Sequence, residues 1–148
     1  MQTVDQATFQ DFRWTILHEG IRIYDDNFPG SYRNPHDIRG DAAGKQSQPH
    51  QNAARERIER MSNDEVVGCL PAIHDEAVQR LMHVPGGDLR WVADHENKRS
   101  ELLDALAKRD FGDIRGRIYW NAQEHNPNAR NLLAAVSNGD LEQMLNKL

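Results

Sequence analysis

The chain has 148 residues, room for one domain, and 18 basic against 23 acidic side chains leave it at −5, so no general attraction draws it to nucleic acid. Hydrophobic residues make up only 38%, which predicts a segment outside the core, and no apolar run is long enough to span a bilayer. Cys69 is the only cysteine, which excludes an internal disulfide, and the N-terminus lacks a signal peptide's basic start and apolar centre, so a soluble, cytoplasmic protein is expected.

Thr3 and Gln6 have capping-box spacing, and Phe9, Phe12 and Ile16 follow at steps of three and four, with Trp14 and Leu17 widening the stripe. This predicts a helix ending near Gly20. Ile21, Ile23 and Tyr24 then alternate, which suits a short strand or a helix extension, before Asp25 and the Pro29-Gly30 turn signal. The helix and this short segment form a first unit, residues 1–28.

No large apolar side chain lies between Ile38 and Ile58, while Gly40, Gly44, Pro49 and several glutamines supply polar and turn chemistry. Such a run does not offset its ordering entropy, about 1–2 kcal/mol per residue, so residues 29–54 are expected to form a flexible polar loop or a segment ordered by a partner. Asp25, Asp26, His36, Asp37 and Asp41 are the densest acid and histidine group of the chain. An enzyme, for instance a small hydrolase, would rest on Asp26, His36 and Asp37. Residues 40–47, GDAAGKQS, have one residue too few between their glycines for a phosphate loop, and Gln46 stands where Ser or Thr should follow Lys45.

A third unit, residues 55–148, is expected to be helical throughout. Arg55 to Arg60 mixes charge signs at helical spacing, the pattern of a solvated face. Ser62 and Glu65 form a capping box that opens the next helix, and Pro71 is expected to end it or force a restart. A further helix over 72–82 carries Ala77, Val78, Leu81 and Met82 on its apolar side, with the acids beside His74 suited to its N-terminal end.

Residues 90–97, RWVADHEN, align with 119–126, YWNAQEHN, so that Trp91 meets Trp120. With one residue inserted, Leu102 and Leu103 then meet Leu132 and Leu133, Ala105 meets Ala135, Asp110 meets Asp140, and Ile114 and Ile118 meet Met144 and Leu148. Each copy reads as a short helix, a polar turn capped by the aspartate, and a second helix. Two helices this short cannot bury both apolar faces alone, so copies must stack, with Trp91 and Trp120 at equivalent, partly buried positions. Residues 121–148 resemble the ankyrin repeat's loop, inner helix, Gly turn and outer helix. The preceding copy has Arg109 where the turn Gly belongs, and both lack the family's Thr-Pro-Leu-His start. The fold expected is therefore all-α, with short stacked helical hairpins of ankyrin-like or irregular solenoid type.

The resemblance implies binding rather than a reaction: a protein-interaction module of adaptor, inhibitor or effector type, as a bacterium or phage would use. Its partner would be another protein, held by the loop tips His95, Glu96, Asn97, Glu124, His125 and Asn126 and by inner-helix faces. No cofactor and no metal site are expected, since no histidine pair has zinc spacing on a helix. No nucleic-acid or membrane partner is expected either. Met144, Leu145 and Leu148 would need cover from the N-terminal helix, a partner or a second copy, which leaves a homo-oligomer joined through the C-terminal helix as a third reading.

Overall fold

A computed structural model describes residues 4–25, 32–83, 89, 94–123 and 127–148. Helix α1 (Gln6–Glu19) starts at Asp5, whose carboxylate accepts from the Thr8 amide at 3.0 Å and the Thr8 hydroxyl at 2.7 Å. Asp5 is thus the cap, and the predicted Thr3 lies outside the described residues. Phe12, Ile16 and Leu17 are buried, whereas Trp14 is 43% exposed and stacks on His18 at 4.5 Å. Gly20 ends the helix at φ 70°, the left-handed conformation a C-terminal glycine supplies. Ile21 and Ile23 turn inward, and Tyr24 makes an antiparallel bridge to Tyr32, their rings stacked at 4.8 Å.

Within the predicted loop the chain folds into α2 (Pro35–Gly44), a 3-10 turn at Pro49–Gln51, and α3 (Asn52–Glu59). Asn34 caps α2 by accepting from the His36 amide at 2.9 Å, and Pro35 occupies the first turn, where its missing N–H costs nothing. Ile38, Ala42 and Ala43 form a small buried stripe, so a helix poor in large side chains still packs on α3 and α4. The glycines of the rejected phosphate loop lie inside this helix. On α3 Ile58 is buried and Arg55 pairs with Glu59 at 3.1 Å, the mixed-charge face predicted for it.

Pro71 does not end its helix, contrary to the expectation from its sequence. The Ser62 amide donates to Glu65 Oε1 at 3.0 Å and the Glu65 amide to Ser62 Oγ at 3.1 Å, the expected reciprocal box. From there α4 (Asn63–His83) runs unbroken through Pro71. Val66, Cys69, Leu70, Ile73, Ala77 and Leu81 bury one continuous face, and that burial outweighs the lost backbone bond at the proline. His74 therefore sits in the middle of a helix, not at a start. Burial, then the Glu65 carboxylate, push the Cys69 thiol up to about 11, which favours its protonated form at neutral pH.

Glu76 ties α4 to α1 through a two-pronged ion pair with Arg13, and Arg80 joins at 2.7 Å. Burial raises the Glu76 carboxyl, but the Arg13 hydrogen bond and the charges of Arg13 and Arg80 outweigh it and hold the group below its ordinary 4.5. A carboxyl depressed in the folded state stabilises above its unfolded value, and that contribution disappears as pH falls through the folded value. Glu76→Gln is expected to lose about 1–2 kcal/mol at pH 7 and to match the parent once both are acidified well below 4.5. Urea unfolding at several pH values checks this.

Two helical hairpins complete the fold: α5 (Glu96–Ala107) with α6 (Phe111–Ala122), and α7 (Ala129–Ala134) with α8 (Asn138–Asn146). Asp110 caps α6 by accepting from the Asp113 amide at 3.1 Å. In the second hairpin the equivalent cap is Ser137, which accepts from the Asp140 amide at 3.3 Å. Asp110 thus corresponds to Ser137, and Ile114 and Ile118 to Leu141 and Leu145, one helical turn earlier than the sequence alignment has it. Arg109, in the turn, takes the glycine-like φ of 57° and pairs with Glu142 of α8 at 2.6 Å. Trp120 stands on α6 and is 68% exposed, against the predicted burial, and Trp91 lies outside the described residues.

Helices α1 and α4 pack on each other and both contact α2 and α7, while α3 packs on α1 and α2. Helix α8 packs on α4 and α5, and α6 packs on α7. Side-by-side repeat stacking would place α5 on α7 and α6 on α8, so the two hairpins meet crosswise instead. Met144 and Leu145 are buried in α8 and Leu148 packs on the core, so the apolar end is covered by α4 and α5 of the same chain. The N-terminal helix reaches α7 rather than α8. There the Asn128 amide donates to the Leu17 carbonyl at 3.0 Å and the Asn131 amide to that of His18, closing the C-terminal end of α1.

Candidate functional site

The described residues among those predicted for a site fall at the starts of two separate helices, α2 and α5. His36 and Asp37 are exposed in the first turn of α2, where His36 Nδ1 faces the Arg39 guanidinium at 3.0 Å, and Asp26 lies outside the described residues. His95, Glu96 and Asn97 are exposed at the start of α5, as a loop tip should be, whereas Glu124, His125 and Asn126 lie outside the described residues. Lys98 Nζ donates to Asn121 Oδ1 at 3.0 Å, which sets the start of α5 beside the end of α6. His95 to Asn97 and the exposed Trp120 therefore share one end of the first hairpin.

Beside Trp120 opens a groove that the sequence does not announce. A cavity of about 470 Å³ between α6 and α7 is lined by Arg115, Gly116, Tyr119, Arg130, Leu133 and Ala134. It adjoins a second, of about 230 Å³, lined by Arg22, Tyr24, Arg115, Ala134 and Val136. Arg115 and Ala134 belong to both. Arg115 and Tyr119 are one turn apart on α6, as are Arg130 and Ala134 on α7, so both pairs face the same space. Arg115 donates to the Val136 carbonyl at 2.7 Å and Asn138 Oδ1 at 2.8 Å, closing the end of α7 and fixing its guanidinium on the groove floor. Arg22 is held by a bond from Nε to the Tyr24 carbonyl at 2.8 Å and approaches Asp25 at 3.7 Å. Tyr119 and Trp120 rings stand 5.9 Å apart.

Behind this groove is a polar knot joining α4, α8 and the Tyr24 segment. His74, 7% exposed, turns Nε2 against the Asp140 carboxylate without a hydrogen bond's alignment, and Asp140 accepts from Ser137 Oγ at 2.5 Å. The Tyr24 ring meets His74 edge-on at 5.2 Å. Burial first, then Tyr32, raise the Tyr24 phenol above its ordinary value, so it stays neutral. A serine, an aspartate and a histidine are together here, but the hydroxyl faces the carboxylate and not the imidazole. The contact that would activate a nucleophile is missing. Among the described residues no group of His, Cys, Asp and Glu is placed to hold a metal ion, and no helix is long and apolar enough to cross a membrane.

No known protein family, characterised protein or solved structure matches this chain.

Proposed function

We propose that this chain is a non-enzymatic protein-interaction module, and that the end of the α5–α6 hairpin and the adjoining groove are its contact surface. The observation that carries the reading is Trp120, the most exposed large apolar side chain among the described residues at 68%, held on a regular helix. An indole left in water on an ordered element offers a large apolar area at low entropic cost, which is why Trp, Tyr and Arg dominate binding hot spots. Tyr119, Arg115 and Arg130 supply the remaining types beside it. The loop tip His95 to Asn97 stands at the same end and supplies a polar rim. The reading does not depend on ankyrin-type stacking, only on an ordered hairpin that leaves Trp120, and to a smaller degree Leu103, in water.

Capture from an extract of the native host, with the whole chain immobilised, tests it. A partner held by the parent is expected to be lost with Trp120→Ser, a cost of about 2 kcal/mol or more and so roughly 30-fold in affinity. Stability should move by less than about 0.5 kcal/mol, since the side chain is exposed. A partner retained by Trp120→Ser at parental strength would exclude this surface.

A further inference from the structure

From the groove's lining we infer that its occupant is an acidic, extended segment of a partner protein, a step that rests on the interaction reading and adds the chemistry of what is bound. The chain as a whole is acidic at −5, yet three arginines and two tyrosines line the two adjoining cavities and no acidic residue lines them among the described residues; Arg22 is shared with Asp25 at 3.7 Å, so Arg115 and Arg130 carry the positive sign. A local reversal of charge sign against the molecule's own field marks where an anionic group is preferred.

Arginine rather than lysine supplies all of this charge. Its planar fork matches a carboxylate with two parallel hydrogen bonds, which a compact ammonium does not do. Arg130, exposed on α7, presents that fork, while Arg115 spends its guanidinium on the Leu133 and Val136 carbonyls and Asn138 and contributes fixed positive charge at the groove. The two cavities share Arg115 and Ala134, so an occupant of one adjoins the other, which suits a stretch of chain longer than a single side chain. Leu133, Ala134 and Val136 provide apolar floor between the charges. A long nucleic acid would extend beyond this strip onto a surface of its own sign, so a short run of Asp and Glu is the better complement.

Fluorescence anisotropy decides it, using the whole chain and three labelled probes: a short oligoglutamate peptide, an oligolysine peptide and a single-stranded oligothymidylate. Oligoglutamate alone is expected to bind, more weakly as salt is raised. Arg130→Glu, on an exposed side chain, is expected to weaken it about tenfold or more with the melting temperature unchanged. Arg60→Glu makes the same charge change on the exposed end of α3, away from the groove, and is expected to alter binding less than about twofold. Equal weakening by the two variants, no binding of oligoglutamate, or tighter binding of oligothymidylate with the same dependence on Arg130 would each overturn the inference. A chain that captures a partner through Trp120 but ignores oligoglutamate sinks this inference alone. One that binds oligoglutamate through Arg130 but captures nothing through Trp120 sinks the interaction reading alone.

Discussion

Replacing Ile38 by alanine is expected to destabilise the protein by roughly 2–5 kcal/mol, although the residue lies in a stretch whose composition reads as loop. Ile38 is fully buried on α2, between α3 and α4, and truncation removes apolar contact and leaves a cavity where the backbone is held on both sides. For a chain of this length the loss corresponds to a fall in Tm of about 5–15 °C. The same substitution in a solvated loop would change stability by less than about 0.5 kcal/mol. Thermal unfolding followed by circular dichroism separates the two, and a near-neutral result would return residues 35–44 to the loop.

Gly20→Val should cost roughly 3–4 kcal/mol, from two sources that add. A β-branched residue forced to φ 70° pays about 1–2 kcal/mol against the left-handed conformation. A Cβ at this position would stand 2.8 Å from Asn131 Oδ1 and 3.3 Å from its Cα, so α7 must retreat from the end of α1. That retreat breaks the amide bonds from Asn128 and Asn131 to Leu17 and His18, about 1 kcal/mol each. The two residues are therefore coupled. The double variant with Asn131→Ala should be less damaged than the sum of the singles by about 1 kcal/mol, and strict additivity would refute the contact.

Features written in neighbouring residues were legible in the sequence. The end of α1 at Gly20 and the box at Ser62 and Glu65 are bonds within a few residues of chain, and each formed as its letters imply. The all-helical class follows from apolar steps of three and four, which survive small errors of register. That same tolerance misled the repeat alignment. A slip of three residues turns a helix by only about 60°, so leucines still meet leucines, and only the caps at Asp110 and Ser137 reveal the true correspondence. Helix α2 carries a readable start in Asn34-Pro35 and an i, i+4 pair in Ile38 and Ala42, but with Ile38 its only large apolar side chain its composition is that of a loop. Pro71 was read by its local penalty, and the buried face of α4 overrode that penalty through contacts no short window contains.

The groove was not legible for a related reason. Arg115 and Tyr119 share a face, and so do Arg130 and Ala134, but nothing in either stretch says that those faces oppose each other or that Arg22 closes the far end. The polar knot is similar: His74 and Asp140 come from helices far apart in the chain, and only the packing of α8 on α4 makes them neighbours.

The asparagine lock on α1 also sets an order of events during synthesis. The helix is made well before α7, and the amide that satisfies its Leu17 carbonyl belongs to a residue 111 positions later. At about 5–20 residues per second, roughly 6–20 s pass before Asn128 even exists. Throughout that interval Phe12, Ile16 and Leu17 have at most α2, α3 and α4 to cover them, with neither their lock nor α7. Newborn molecules are thus exposed to chaperones and proteases over a window set by translation speed, and slowing the ribosome between codons 20 and 128 should lower the yield of intact protein without altering the finished molecule.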